Sequence, residues 1–304
     1  MPKYPLILSL LLVFALGCER EAGEEEQLPV IFGAPAGAED ETRAGGGVID
    51  VGNLASMGVF ASYTGQSDWS EDAAPNFMYN QLVEKSGTWT YTPLKYWPNT
   101  TGDKLTFFAY APHTDNTNNS LLVATDNTTA GYPKLSYMVP ANAANQIDLL
   151  AAVPLKDKTR GSELSFNMGH VLTHVSFKVE ITGDDITLTS LSVKNCNNQG
   201  ELTFNEGGYS WTSLQGTETF KGLPADVDGT KTFEFFLLPS KGSSNIELAF
   251  DDGSPKTLTS ELSGPDWKMG GSVVYTLKIG GVAPSSVSKN GENAHLSVSA
   301  ISTF

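Results

Sequence analysis

The chain has 304 residues, 40% of them hydrophobic and only 17% charged, with 19 Lys and Arg against 34 Asp and Glu and a formal net charge of -15. That length holds two domains or one large all-β domain, and the apolar content excludes disorder throughout. Charged residues fall below the roughly 25% usual for globular domains while Gly, Ser, Thr and Asn abound, a balance that argues against helical bundles, and the acid excess argues against a nucleic-acid partner.

In chain order, residues 1–17 read as an export signal: Lys3 supplies a positive start, and the apolar run over residues 6–14 is shorter than the about 20 residues needed to span a bilayer. Ala15-Leu16-Gly17-Cys18 resembles a bacterial lipobox, in which the cysteine is acylated and becomes the new N-terminus. Cys18 is therefore the expected lipidation site. Cys196 is then left without a partner, so no disulfide is expected within the chain. Residues 18–47 divide into an acidic spacer through Glu26, a short apolar strand comprising Leu28, Val30, Ile31 and Phe32, and a linker of Gly, Ala, Pro and acid. Within that linker Arg43 precedes Ala44 and three glycines, a setting open to a trypsin-like protease.

Residues 59–63, 88–91 and 105–110 are aromatic-rich strand candidates, and 113–131 reads as a polar surface excursion. Residues 171–181, 186–193, 231–238, 246–250 and 273–279 continue the pattern. No stretch keeps a helical period over three turns, and many short strands at close spacing predict an all-β protein of two β-sandwich domains, 48–165 and 166–304.

The sequence holds none of the common hydrolase, P-loop, zinc or dithiol motifs, so an enzyme is not supported, and no metal, cofactor or catalytic residue is expected. His170 and His174 stand four apart in a strand-and-turn setting, which favours structural histidines over metal ligands. Asp226-Val227-Asp228-Gly229 and Asp251-Asp252-Gly253 resemble fragments of calcium loops but suit hairpin turns better. Cys196, with no His/Asn constellation, reads as a bystander more readily than as a nucleophile. Trp89, Tyr91, Tyr96 and Trp97 suit a core, and less readily a platform for stacking on sugars.

One ordered set of motifs remains. The lipobox, the early apolar strand and the Thr42-Arg43-Ala44 junction are followed by Trp89-Thr90-Tyr91-Thr92-Pro93-Leu94-Lys95-Tyr96-Trp97-Pro98 and Leu105-Thr106-Phe107-Phe108-Ala109-Tyr110-Ala111-Pro112. Later come Gln146-Ile147-Asp148-Leu149-Leu150-Ala151-Ala152 and the stretch from Leu164 to Val175. Together they resemble the fimbrillins, the type V pilins of Bacteroidetes, over essentially all of the mature chain. The acidic residues after Cys18 likewise resemble the surface-export signal of Bacteroidetes lipoproteins.

The resemblance implies two transthyretin-like β-sandwiches carried to the outer membrane as a surface-exposed lipoprotein. It implies cleavage after an arginine by a trypsin-like or gingipain-like protease, loss of the first strand, and filling of the vacated groove by a C-terminal strand of the next subunit. Other pilin subunits, the same or accessory, are then the partners, and the fimbrium serves adhesion to a host or bacterial surface ligand. Carried over, Cys18 holds the lipid, Leu28, Val30, Ile31 and Phe32 mark the removable strand, and Arg43-Ala44 is the scissile bond. Ala294, Leu296, Val298, Ala300 and Phe304 share one face of a possible donor strand over 294–304, an alternation equally suited to the last strand of its own domain. Stalk fimbrillins often end in a longer extension with Trp, so anchor, tip and minor-subunit roles stand beside the stalk role. A monomeric glycan-binding surface lipoprotein, using the aromatic group around Trp97, is the competing class.

Overall fold

The computed structural model describes residues 26–37, 48–117, 120–182, 187–222, 225–227, 230–251, 253–281 and 294–303. Cys18, Arg43, Ala44 and Phe304 lie outside them. Among the described residues the regular structure is strand throughout, apart from one short 3-10 turn at Ala143–Asn145.

Leu105–Ala111 explains why the first half folds as it does. All seven residues are buried, because the strand lies inside the large eight-stranded sheet and both of its faces are covered. Successive side chains alternate between faces. Leu105, Phe107, Ala109 and Ala111 join Met57, Val59 and Ala61 in one apolar cluster, while Phe108 and Tyr110 join Phe60 in another. In order across the sheet run Ala36–Gly37, Asn167–His170, Leu150–Ala152, Leu105–Ala111, Ser56–Tyr63, Met78–Ser86 and Thr88–Thr90, with Leu155–Lys158 also pairing on Leu105–Ala111. Every pair is antiparallel except Ala36–Gly37 on Asn167–His170.

A second sheet covers the Phe108 face. It is built from Leu121–Val123 and Lys134–Met138 together with Gln199–Asn205 and Gly208–Gln215. Leu135 stands opposite Leu202 in this sheet, and Phe204 meets Phe108 at 5.5 Å between ring centres. One expectation changes here. The stretch 113–131 is not all surface excursion, because Leu121–Val123 pairs with Lys134–Met138 and buries Leu121. This sheet takes strands from both sides of residue 165, and Asn167–His170 pairs with Leu150–Ala152 in the large sheet. Both features come from long-range pairing, which local periodicity does not report.

The rest of the chain packs two sheets face to face. Ala225–Val227, Thr230–Leu237, Thr173–Thr182, Ser272–Gly281 and Ala294–Thr303 form one, and Glu218–Gly222, Thr187–Cys196, Asn245–Asp251 and Pro255–Glu261 the other. Phe177, Phe235 and Tyr275 face Val193, Ile246 and Leu248 across the same core, with Phe177 stacked on Tyr275 at 5.1 Å. The strands expected at 171–181, 186–193, 231–238, 246–250 and 273–279 all form, each shifted by a few residues at its ends. Asp251 and Gly253 close a hairpin: the Gly253 N–H donates to Asp251 Oδ1 at 2.9 Å, and the glycine takes φ +103, which other residues adopt only under strain. Residues 228 and 229, in the other Asp-Gly stretch, lie outside the described residues.

Candidate functional site

The apolar strand read at residues 28–32 is extended, but its pairing is sparse. Pro29 makes an antiparallel bridge to Tyr96, Phe32 a parallel bridge to Leu164, and a strand forms only at Ala36–Gly37. Pro29 and Pro35 have no N–H to donate, which breaks up any continuous ladder. The segment thus changes partner halfway along. Upstream, the Val30 N–H donates to the Lys95 carbonyl and the Trp97 N–H to the Leu28 carbonyl, each at 2.9 Å. Downstream, the Gly33 and Ala36 N–H groups donate to Leu164 and Phe166 carbonyls at 2.9 and 2.8 Å.

Side chains hold the segment more firmly than its backbone does. Val30 is fully buried and Phe32 is 3% exposed, whereas Leu28 and Ile31 are 36% and 63% exposed. Of the four residues expected to form the removable strand, two therefore enter the core. The Phe32 ring sits 5.5 Å from Tyr91, 5.9 Å from Phe107 and 5.7 Å from Phe166. Fully burying side chains of this size contributes about 1.5–3 kcal/mol each. The Tyr91 hydroxyl donates to the Val30 carbonyl at 2.8 Å, and burial pushes its pKa up, so it remains a donor. Ser165 Oγ likewise donates to the Ala34 carbonyl at 2.7 Å.

An open groove of about 720 Å³ lies between this segment and Thr88–Thr90, the last strand of the large sheet on that side, with Ile31, Val51, Trp89 and Leu94 among its lining. Trp89 and Trp97 are 7% and 4% exposed and belong to the cluster that holds Val30 and Phe32. Of the four aromatics considered for sugar stacking, Tyr96 alone is largely exposed. The group supports the first segment, so the observation behind the glycan-binding reading loses its force.

At the other end of the chain, Ala294–Thr303 pairs antiparallel with Ser272–Gly281 along ten residue pairs and forms the edge of its sheet. Leu296 stands opposite Ile279, Val298 opposite Leu277 and Ala300 opposite Tyr275, all three partners being fully buried. The apolar alternation is in phase with the core positions of the chain's own sheet.

A family model described as fimbrillin-like matches residues 42–298. The chain belongs to the fimbrillin-like family. Over 137 residues it is 32% identical to the fimbrium subunit Fim1C of Phocaeicola vulgatus, a match covering 40% of this chain and 36% of that relative, and so little more than a third of the relative's length. Two solved structures share the fold, both candidate cell adhesion proteins. One, from Bacteroides uniformis, has a TM-score of 0.56 at 13% identity, covering 90% of this chain and 98% of that one. The other, from Bacteroides ovatus, has a TM-score of 0.51 at 15% identity, covering 90% and 96%.

The remaining candidates in this fimbrillin-like chain have structural settings. His170 Nδ1 lies 3.0–3.1 Å from the Asp148 carboxylate, which also accepts the Ile49 N–H at 3.0 Å. His174 stacks on Phe236 at 5.4 Å, with Nδ1 3.3 Å from Ser272 Oγ. Among the described residues no three His, Cys, Asp or Glu side chains gather as metal ligands would. The Cys196 thiol is buried 3.1 Å from Ser244 Oγ, and burial pushes its pKa up to about 11, which keeps it protonated and unreactive at neutral pH. Arg160 is a contributor that sequence reasoning missed. It is one of only three arginines, and its guanidinium bonds Asn99 Oδ1 at 2.9 Å and the Glu26 carbonyl.

Proposed function

We propose that this chain is a structural subunit of a fimbrium on the cell surface. In this reading it arrives as an outer-membrane lipoprotein acylated at Cys18, and a trypsin-like or gingipain-like protease cuts Arg43-Ala44. The first segment then gives way to a strand from another pilin subunit, and the resulting fibre serves adhesion. One observation carries the proposal: Val30 and Phe32 are core residues, yet they sit in a sparsely paired segment just upstream of a Gly-rich linker that contains Arg43. Once the linker is cut, only non-covalent contacts retain that segment.

Its loss would bare the Lys95, Leu164 and Phe166 carbonyls and the Trp97 N–H, together with the rings around Phe32. Each buried polar group left unpaired costs about 1–3 kcal/mol, and β-strand addition by another chain repairs both losses at once. Ala294–Thr303, an edge strand with one neighbour in its sheet and an alternating apolar sequence, is the proposed donor, and to serve as one it must first unzip from its ten pairs with Ser272–Gly281. Membership of the fimbrillin-like family and the partial likeness to a fimbrium subunit support the same reading.

Treatment of the purified chain with an arginine-specific protease should give a new N-terminus at Ala44 and SDS-resistant ladders on gels, and Arg43→Ala should abolish both. Ladders of normal length from Arg43→Ala would show that the trigger is misassigned. A lipid-retaining anchor role would instead leave the cell-surface form uncut at Arg43.

A further inference from the structure

We infer that Arg160 is a positioning residue that clamps the upstream end of the first segment and holds it in the core before any exchange. Arg160 stands in a tight turn in which the Ser162 N–H donates to the Thr159 carbonyl at 2.9 Å and the Thr159 N–H to Ser162 Oγ at 3.2 Å. The turn fixes the base of the side chain. Nη1 donates to Asn99 Oδ1 at 2.9 Å, and Nη2 donates to the Glu26 carbonyl. A planar guanidinium suits such a bridge because its donors point in fixed directions at two separate groups.

The clamp acts where the segment is otherwise least secured. Leu28 is 36% exposed, and the first core side chain is that of Val30. A Leu28 methyl lies 3.7 Å from where a side chain on Gly161 would begin, so the turn runs close beside the segment at a second point. Arg160 therefore ties down Glu26, and Gly161 after it stands next to Leu28, both ahead of the antiparallel bonds from Val30 and Trp97. Releasing the guanidinium loosens the upstream end of the segment, while Phe32 and the parallel bonds at Gly33 and Ala36 stay in place.

The inference rests on the strand-exchange reading for its biological purpose but not for its test. Hydrogen exchange measured on the uncut full chain should show the Val30 and Trp97 amides exchanging about three- to tenfold faster in Arg160→Ala, as expected for losing exposed charge-assisted bonds. The Gly33 and Ala36 amides should change less and the Leu105–Ala111 amides not at all. Arg160→Lys, which reaches one partner but not both, should fall between the variant and wild type. Unchanged exchange at Val30 and Trp97 would overturn the clamp, and so would an equal rise across the whole large sheet, because that marks a general loss of stability. In a second arm, after cleavage at Arg43, Arg160→Ala should shed the segment faster than wild type. If the exchange pattern holds but neither protein forms ladders, the clamp stands and the fimbrial reading fails.

Discussion

The two ends of the described chain are attached in opposite ways. Residues 28–33 are held by two inward side chains and a scatter of backbone bonds to two different elements, with Pro29 interrupting the ladder. Ala294–Thr303 is held by ten consecutive antiparallel pairs to one neighbour. The contrast separates two ways of completing a β-sheet protein. A segment anchored by side chains at alternate positions is replaceable by any strand with apolar residues at the same spacing. A segment anchored by a long register must unzip as a whole.

The largest expected effect is on the register-anchored end. Deleting residues 294–304 leaves the edge of Ser272–Gly281 unpaired along its full length, and the second half should lose its cooperative unfolding transition or aggregate, as read by circular dichroism and size-exclusion chromatography. A soluble truncated chain with an unchanged melting curve would mean that the register contributes little. Phe32→Ala should come next. It removes a ring that touches three other aromatics and should cost about 3 kcal/mol in chemical denaturation, with Trp97→Ala of similar size because that side chain lines the same cluster. Tyr91→Phe, which deletes the hydroxyl bond to the Val30 carbonyl, should cost about 1 kcal/mol. Ile31→Ala should be the mildest, within about 0.5 kcal/mol, since Ile31 is 63% exposed. Equal costs for Phe32→Ala and Ile31→Ala would contradict anchoring by alternate side chains.

How much of this is legible in the sequence depends on the range of the interaction. Leu105–Ala111 announces itself as a local apolar run and Thr173–Thr182 as an alternation of polar and apolar residues, and the strands form where these patterns are. The pairing of Lys134–Met138 with Gln199–Asn205 joins stretches more than 60 residues apart, and neither has a local pattern that names its partner. The first segment is recognisable as apolar, but alternation along residues 28–32 does not reveal that Leu28, on the same side as Val30 and Phe32, lies beyond the edge of the core. The aromatic group around Trp97 is visible by composition. That it packs beneath the first segment is decided by the Pro29–Tyr96 bridge, a tertiary contact. Arg160 has no sequence signal beyond the scarcity of arginine, because its contact to Glu26 spans 134 positions.

The central claim is that the first segment leaves and another strand takes its place. The direct measurement is quantitative mass spectrometry of the fragment ending at Arg43, in the cut monomer and in purified ladders. The account predicts one fragment per chain in the freshly cut monomer and its loss from the ladders. A fragment retained one-to-one in the ladders would mean that subunits associate without strand exchange, contradicting the account.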